Sequence, residues 1–343
     1  MLKTVQKIEI SPSIIWKTIL ILLAISFLYY IKDVLLLLFL AIIIVSAAGP
    51  IIDKMESKKI PRILAVVLLY FSSILLFVLV LSIVVPVLSN ETQMITKALP
   101  EYFTGINNFI ENVTDLAASY HFEENFNDFL ANFSNGLTNS LSSIFSNTLG
   151  FLVGVFKALV IFSLAFYMLI KKDGTRAFVN AIVHNKKHKK RVIDLVEKIQ
   201  TKMGRWLVGQ FSLMFIIFVL EFIALSILGV PFALILALIG GLLEIVPYIG
   251  PLAAFVPAVL IASTVSPWTA LFVAISYILI QQIENHLIVP LVMKKAVGLN
   301  PVVIILSLLI GGRLAGVPGI ILAVPFVTAM EIVLEDFLNK KEE

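Results

Sequence analysis

The sequence predicts an all-α integral membrane protein, and two observations support this fold class. Of the 343 residues, 59% are hydrophobic and only 14% are charged, with a mean hydropathy of +1.02. A soluble domain is roughly half apolar and about a quarter charged. Several stretches also reach the ~20 mainly apolar residues that a bilayer-spanning helix needs. Because the bilayer core holds no water for backbone groups, these stretches must be helices.

About eight apolar segments follow one another along the chain, and glycine and proline interrupt two of them. The segments are residues 14–31, 34–52, 63–88, 149–170, 206–228, 231–264, 268–290 and 301–334. The interrupted segments are the sixth and the eighth. Each is long enough for two short crossings or for a re-entrant hairpin, and the sequence leaves that choice open.

Lysine and arginine in the connecting loops predict the orientation. Residues 54–62 and 171–205 are rich in both, whereas residues 89–147 contain a single lysine, Lys97, among many acidic residues. Basic loops remain on the cytoplasmic side, so we expect both termini in the cytoplasm and residues 89–147 outside. Apolar residues recur at helical spacing in that outer stretch, which predicts a small extracytoplasmic helical cap.

The two interrupted segments contain similar central blocks. Residues 240–247 read GGLLEIVP and residues 311–318 read GGRLAGVP, with five of eight positions identical. The predicted topology brings the two segments in from opposite sides, and opposed broken helices indicate the binding site of a secondary transporter. We therefore expect the two tips to meet inside the bundle. The predicted helix breaks are Gly240, Gly241, Pro247, Gly250 and Pro251 in one segment, and Gly311, Gly312, Pro318 and Gly319 in the other.

Polar residues inside the apolar segments are the candidate site. A charge at a helix centre costs ~2.5–3.5 kcal/mol on insertion scales, so such residues often have a function. Glu244 and Arg313 occupy near-equivalent places in the two blocks and would pair, or share a solute, if the tips met. Helical spacing predicts one shared face for Gln210 and Glu221, and another for Gln281, Glu284 and Asn285. The alternatives are solvated interfacial residues, or buried polar residues that bridge helices without contacting a solute.

Several other functions lack their sequence signatures. The chain has no cysteine and no HExxH, GxSxG or GxxxxGK[ST] motif, which disfavours thiolate metal sites, zinc proteolysis, serine hydrolysis and an ATP motor of its own. We therefore predict no catalytic residue, no metal site and no cofactor. The basic run HNKKHKKR at 184–191 is typical of a membrane-flanking face that meets lipid headgroups, and we expect no nucleic acid partner.

The motifs of the second half resemble those of the autoinducer-2 exporter family, also called PerM-type permeases. They are WLVGQFSL at 206–213, GVP at 229–231, EIVPYIGP at 244–251, IENHLIVPLVM at 283–293, GLNPVVIILSLLIGG at 298–312 and GIILAVP at 319–325. The resemblance implies a multi-pass protein of the bacterial inner membrane. Some members are linked to export of autoinducer-2 and others to exchange of sodium or lithium for protons. Glu221 is not part of the family pattern.

With this resemblance, we expect a secondary transporter that exports a small polar solute such as autoinducer-2. A sodium(lithium)/proton antiporter and a membrane scaffold protein are the alternatives, and an intramembrane enzyme is disfavoured. The expected partners are membrane lipid and the solute or H⁺/Na⁺, and a homo-oligomer is left open. The domains are three transmembrane helices (1–88), the extracytoplasmic amphipathic region (89–147), a transmembrane helix with a basic cytoplasmic region (148–205), a transport core with two hairpins (206–334) and a cytoplasmic tail (335–343).

Overall fold

The computed structural model describes residues 12–80, 148–171, 186–293 and 300–339, together with residues 82, 86 and 183. These residues are almost entirely helical, and none of them is in a strand. The predicted cap at 89–147 and the end of the tail lie outside the described residues. The helices are α1 Pro12–Tyr30, α2 Lys32–Ser57, α3 Arg62–Val80, α4 Thr148–Ile170, α5 Lys186–Ile227, α6 Ala233–Leu243, α7 Ile249–Val265, α8 Pro267–Ile283 and α9 Pro301–Asn339.

The described helices confirm the prediction of an all-α membrane protein. Six of them, α2, α3, α4, α5, α8 with its continuation, and α9, are long and apolar enough to cross a bilayer, while α6 and α7 are shorter. Large apolar side chains such as Phe71, Phe77 and Phe156 are exposed on the outer surface. A water-soluble protein rarely exposes so large an apolar surface, so lipid is the solvent that this surface fits.

Helix α5 is the packing centre of the described bundle. It contacts α2, α6, α8 and α9. In its first half, Met203 and Trp206 are buried against Ile43 of α2 and Leu322 of α9. The two backbones of α2 and α5 approach closely, since a Cβ on Gly204 would lie 2.6 Å from the carbonyl carbon of Ser46. The second half of α5 packs on α6 instead.

The first interrupted segment forms the pair α6 and α7, joined by a turn at residues 244–248. Helix α6 ends at Leu243, and Tyr248 takes a left-handed conformation (φ 66°, ψ −44°) just before α7 begins. The two helices pack together, because Gly250 lies directly against the Leu243 carbonyl. The break is therefore at 244–248, which contains the predicted Pro247, whereas Gly250 and Pro251, also predicted as breaks, lie in the first turn of α7. Gly240 and Gly241, which we expected in the break, lie within α6, and their lack of a side chain permits close packing on α5.

The second interrupted segment breaks at Gly316, with φ 62° and ψ −142°. This is a correction, because the predicted breaks were Gly311, Gly312, Pro318 and Gly319. Gly311 and Gly319 instead form a close contact between the two halves of α9, since a Cβ on Gly311 would lie 2.9 Å from the carbonyl carbon of Gly319. The chain thus folds back on itself around Gly316.

The expected meeting of the two tips stays a prediction. Among the described residues, α9 makes no extended contact with α6 or α7. Helix α9 packs on α5 near Trp206 and Lys202, and its break lies beside Lys32 at the start of α2. The α6–α7 turn is held by Gln210 of α5.

Candidate functional site

A group of polar side chains is buried where α5, α8 and the α6–α7 turn come together. Three of these side chains are carboxyl groups, and within the described part of the chain none of them forms an ion pair with a lysine, arginine or histidine. The five side chains and their exposed fractions are Gln210 (3%), Glu221 (2%), Glu244 (3%), Tyr277 (6%) and Glu284 (5%).

Glu244 lies in the helix break itself. It is the first residue after α6, and Gln210 Nε2 donates a hydrogen bond of 2.7 Å to its backbone carbonyl. A helix end leaves its last carbonyls without partners, so this amide of α5 satisfies one of them and fastens the turn. The Glu244 side chain itself is not satisfied, because its Oε2 has no hydrogen-bond partner among the described residues.

Glu284 reaches the same place from α8. Gln281 Nε2 donates a hydrogen bond of 3.0 Å to Glu284 Oε2, as their predicted spacing of three residues allows. The Glu284 and Glu244 carboxyl groups are neighbours that interact directly. Two adjacent carboxylates repel each other unless one is protonated or a cation binds between them. The pair can therefore exchange a proton for a cation, or hydrogen-bond a polar solute.

Asn285 does not join this group. Helix α8 continues as a π-helical turn, Glu284–Ile288, followed by Val289–Met293. A π-helical turn inserts one residue into the helical repeat and is frequent at functional sites. It leaves Glu284 buried, whereas Asn285 and His286 are exposed, and His286 Nδ1 lies 2.9 Å from the Gln282 carbonyl oxygen.

Glu221 and Tyr277 lie beside the Glu244–Glu284 pair. The Glu221 carboxyl group and the Tyr277 hydroxyl are close enough to interact. Glu221 Oε2 and Tyr277 Oη nevertheless have no hydrogen-bond partner among the described residues. The carboxyl group fills the space in which Gly240 would carry a Cβ. Sequence reasoning missed Tyr277, although its spacing of four and seven residues from Gln281 and Glu284 places it on their helix face.

Arg313 lies apart from the buried group. It is exposed near the break in α9 and forms no ion pair with Glu244. The next residue, Leu314, accepts a hydrogen bond of 3.2 Å on its carbonyl from Lys32 Nζ. The expected Glu244–Arg313 pair is therefore not formed: Arg313 lies next to the residue that Lys32 of α2 contacts, whereas Glu244 is held by Gln210 of α5.

The described residues contain no group of three acidic or histidine side chains placed to hold a metal ion. Carboxyl, amide and hydroxyl groups such as those of the buried polar group can bind a proton, a monovalent cation or a polar solute. Its carboxyl groups come from three different elements, so a relative movement of those elements would change their surroundings.

The sequence profile of the AI-2E family transporters matches residues 18–339. The chain belongs to the AI-2E transporter family. Its relatives include YueF of Bacillus subtilis, 29% identical and covering 85% of this chain and 80% of the relative. YrrI of the same organism is 28% identical, covering 91% and 89%. Both carry provisional transport designations. The AI-2 transport protein TqsA of Escherichia coli is 26% identical, covering 88% and 84%.

Membership of the AI-2E family settles the class of activity. The chain is a multi-pass membrane protein that functions in transport, and it is a permease-like protein, not an enzyme.

Proposed function

We propose that this AI-2E transporter is a secondary transporter that exports a small polar solute, with Glu244 and Glu284 as its coupling pair. The observation that carries the proposal is the contact between these two buried carboxyl groups at a helix break. Non-helical backbone at membrane depth is tolerated where it is buried in protein or lines a water-filled cavity. Ionisable residues in spanning segments usually mark solute or ion pathways.

Autoinducer-2 is the first candidate solute. TqsA, a relative over most of its length, is named an AI-2 transport protein. A small polyol needs both donors and acceptors around it, which the amides of Gln210 and Gln281 and the two carboxyl groups supply. Asn285 and Arg313 are exposed and would reach this solute only in a second conformation of the protein.

Sodium(lithium)/proton antiport is the second candidate, and the absence of any basic partner at the described carboxyl pair favours it. A proton or a monovalent cation neutralises part of the charge on the pair, so the two would compete for one site. The same residues would then couple sodium entry or exit to opposite proton movement.

The proposed arrangement in the membrane follows the loop charges. Both termini face the cytoplasm of a bacterial inner membrane, and the α6–α7 pair and the two halves of α9 enter from opposite sides as re-entrant hairpins. The basic residues near the start of α5 would then lie against lipid headgroups.

Flux measured in proteoliposomes tests this proposal. Vesicles with purified protein are given imposed pH or sodium gradients, and movement of autoinducer-2 and of radioactive sodium is followed. The exporter proposal expects gradient-driven autoinducer-2 movement, and the antiport candidate expects sodium movement that reverses with the pH gradient. Alanine at Glu244 should abolish the flux and leave assembly intact. The absence of both fluxes from vesicles with folded wild-type protein would contradict both transport candidates and favour a scaffold.

A further inference from the structure

Glu221 and Tyr277 are a second buried polar pair that the Glu244–Glu284 pair does not use. Both side chains are more than nine-tenths buried, and Glu221 Oε2 and Tyr277 Oη have no hydrogen-bond partner among the described residues. A buried polar atom without a partner costs free energy, and a buried charge without a partner costs more. A proton on the Glu221 carboxyl group removes that charge.

Among the residues that the structure describes, no lysine, arginine or histidine forms an ion pair with Glu221. Helices α6 and α7 contribute no titratable side chain, and the turn between them contributes Glu244 and the exposed Tyr248. Helix α8 contributes Tyr277, and the π-helical turn after it contributes Glu284. The charged residues of α5 that pair with α9, Arg191 and Lys202, lie near the other end of α5. An ionised Glu221 would thus be buried among other acids.

The contact with Gly240 restricts the space around the Glu221 carboxyl group. The Glu221 carboxyl group lies in direct contact with this residue of α6, where any side chain would overlap it. The Gly240 carbonyl accepts a hydrogen bond of 3.0 Å from the Glu244 amide, and as an acceptor it cannot stabilise an ionised carboxylate. A neutral carboxyl group fits this contact, since α6 has no polar side chain and the Tyr277 hydroxyl is the side-chain donor that lies beside Glu221 in the described residues.

We propose that Glu221 and Tyr277 form a proton-binding site of their own, in which Glu221 holds a proton from water while α6 lies against α5. Release of that proton to water leaves a charge against Gly240 and weakens the α5–α6 contact that positions Glu244. Glu221 is therefore a positioning residue for the turn. Only its influence on flux rests on the proposed function; the proton site itself does not.

Infrared difference spectroscopy tests the site without any solute. Spectra are recorded on the protein in lipid vesicles as the pH is raised from neutral, and the carbonyl-stretch band of protonated carboxyl groups is followed. The Glu221→Gln variant should lose one component of this band, and Tyr277→Phe should change the frequency of that component. Glu335→Gln, at an exposed residue of α9, is the matched control and should change nothing.

Two results would overturn the proposal. One is a Glu221→Gln spectrum identical to that of the wild type, with Tyr277→Phe also without effect. The other is loss of the Glu221 component in Glu244→Gln, because the two sites would then be one. A failure of the proposed function is distinguishable, since it would show as no flux in wild-type vesicles while the Glu221 component remained.

Discussion

Replacing Gly240 with alanine is expected to destabilise the protein, although alanine is the better helix former. The new Cβ would lie 2.6 Å from the carboxyl carbon and 2.9 Å from Oε1 of Glu221. The Glu221 side chain is only 2% exposed, so its carboxyl end has little room to move aside. Forcing extra atoms into such a packed site costs about 1–3 kcal/mol, while the helix-propensity gain from Gly to Ala is about 1 kcal/mol. We therefore expect a net loss of roughly 1 kcal/mol in the free energy of unfolding.

Two variants separate steric overlap from other effects. Gly154→Ala in α4 is the matched control, because no atom lies within 4 Å of its new Cβ, and it should stabilise the protein by up to about 1 kcal/mol. The double variant Glu221→Ala with Gly240→Ala removes the group that the Cβ meets. It should therefore be more stable than the sum of the single changes predicts, by about 0.5–3 kcal/mol.

Equilibrium unfolding in mixed detergent micelles, followed by circular dichroism, provides these free energies. If Gly240→Ala is as stable as Gly154→Ala, the new Cβ does not overlap the Glu221 carboxyl group. If the effects of Glu221→Ala and Gly240→Ala simply add, the overlap is not what destabilises Gly240→Ala.

Three further predictions concern the turn, the packing of α3 and the topology. Tyr248 has a positive φ of 66°, which disfavours any side chain by about 1–2 kcal/mol. Tyr248→Gly should therefore be more stable to thermal unfolding than Tyr248→Ala, and equal stability would contradict the turn geometry. Arg62 bonds to Asp53 at 2.7 Å, to Glu56 at 2.9 Å and to the Leu169 carbonyl at 2.7 Å, so Arg62→Ala should lower stability by about 1–3 kcal/mol, whereas Lys58→Ala on the exposed loop should not. Single cysteines at Ser119 and Lys187 should react with impermeant reagents from opposite sides of the membrane, and reaction from the same side would refute the topology.

The general fold could be predicted because lipid restricts the chain to few structures. Long apolar stretches must be helices, and glycine and proline mark where they break. Helical spacing also identified Gln210 and Glu221 on one face and Gln281 with Glu284 on another. All four belong to the buried polar region, although Gln281 itself is only partly buried.

The positions of the helix breaks required the structure. A glycine in an apolar helix can provide either a break or a close contact, and the sequence does not distinguish these roles. Gly240 and Gly311 provide contacts. The tripeptide Gly-Val-Pro was the better signal, because both Gly229 (φ 64°) and Gly316 (φ 62°) precede Val-Pro and have left-handed backbones.

The composition of the site could be predicted only in part, because it depends on how the helices pack. Glu244 and Arg313 occupy near-equivalent places in the two blocks, yet Glu244 is buried and Arg313 is exposed. The π-helical turn after Ile283 separates Asn285 from Glu284, and regular helical spacing gives no indication of that turn.

The most direct test of the central claim is the pH dependence of flux in Glu244→Gln and Glu284→Gln proteoliposomes, with Glu335→Gln as the control. Glutamine keeps the shape and much of the hydrogen bonding of glutamate but cannot exchange a proton. If the carboxyl pair couples transport, both variants should lose the pH dependence of flux, and sodium exchange should disappear. A neutral solute should retain some flux. Wild-type flux with unchanged pH dependence in both variants would contradict the proposal that Glu244 and Glu284 form the coupling pair.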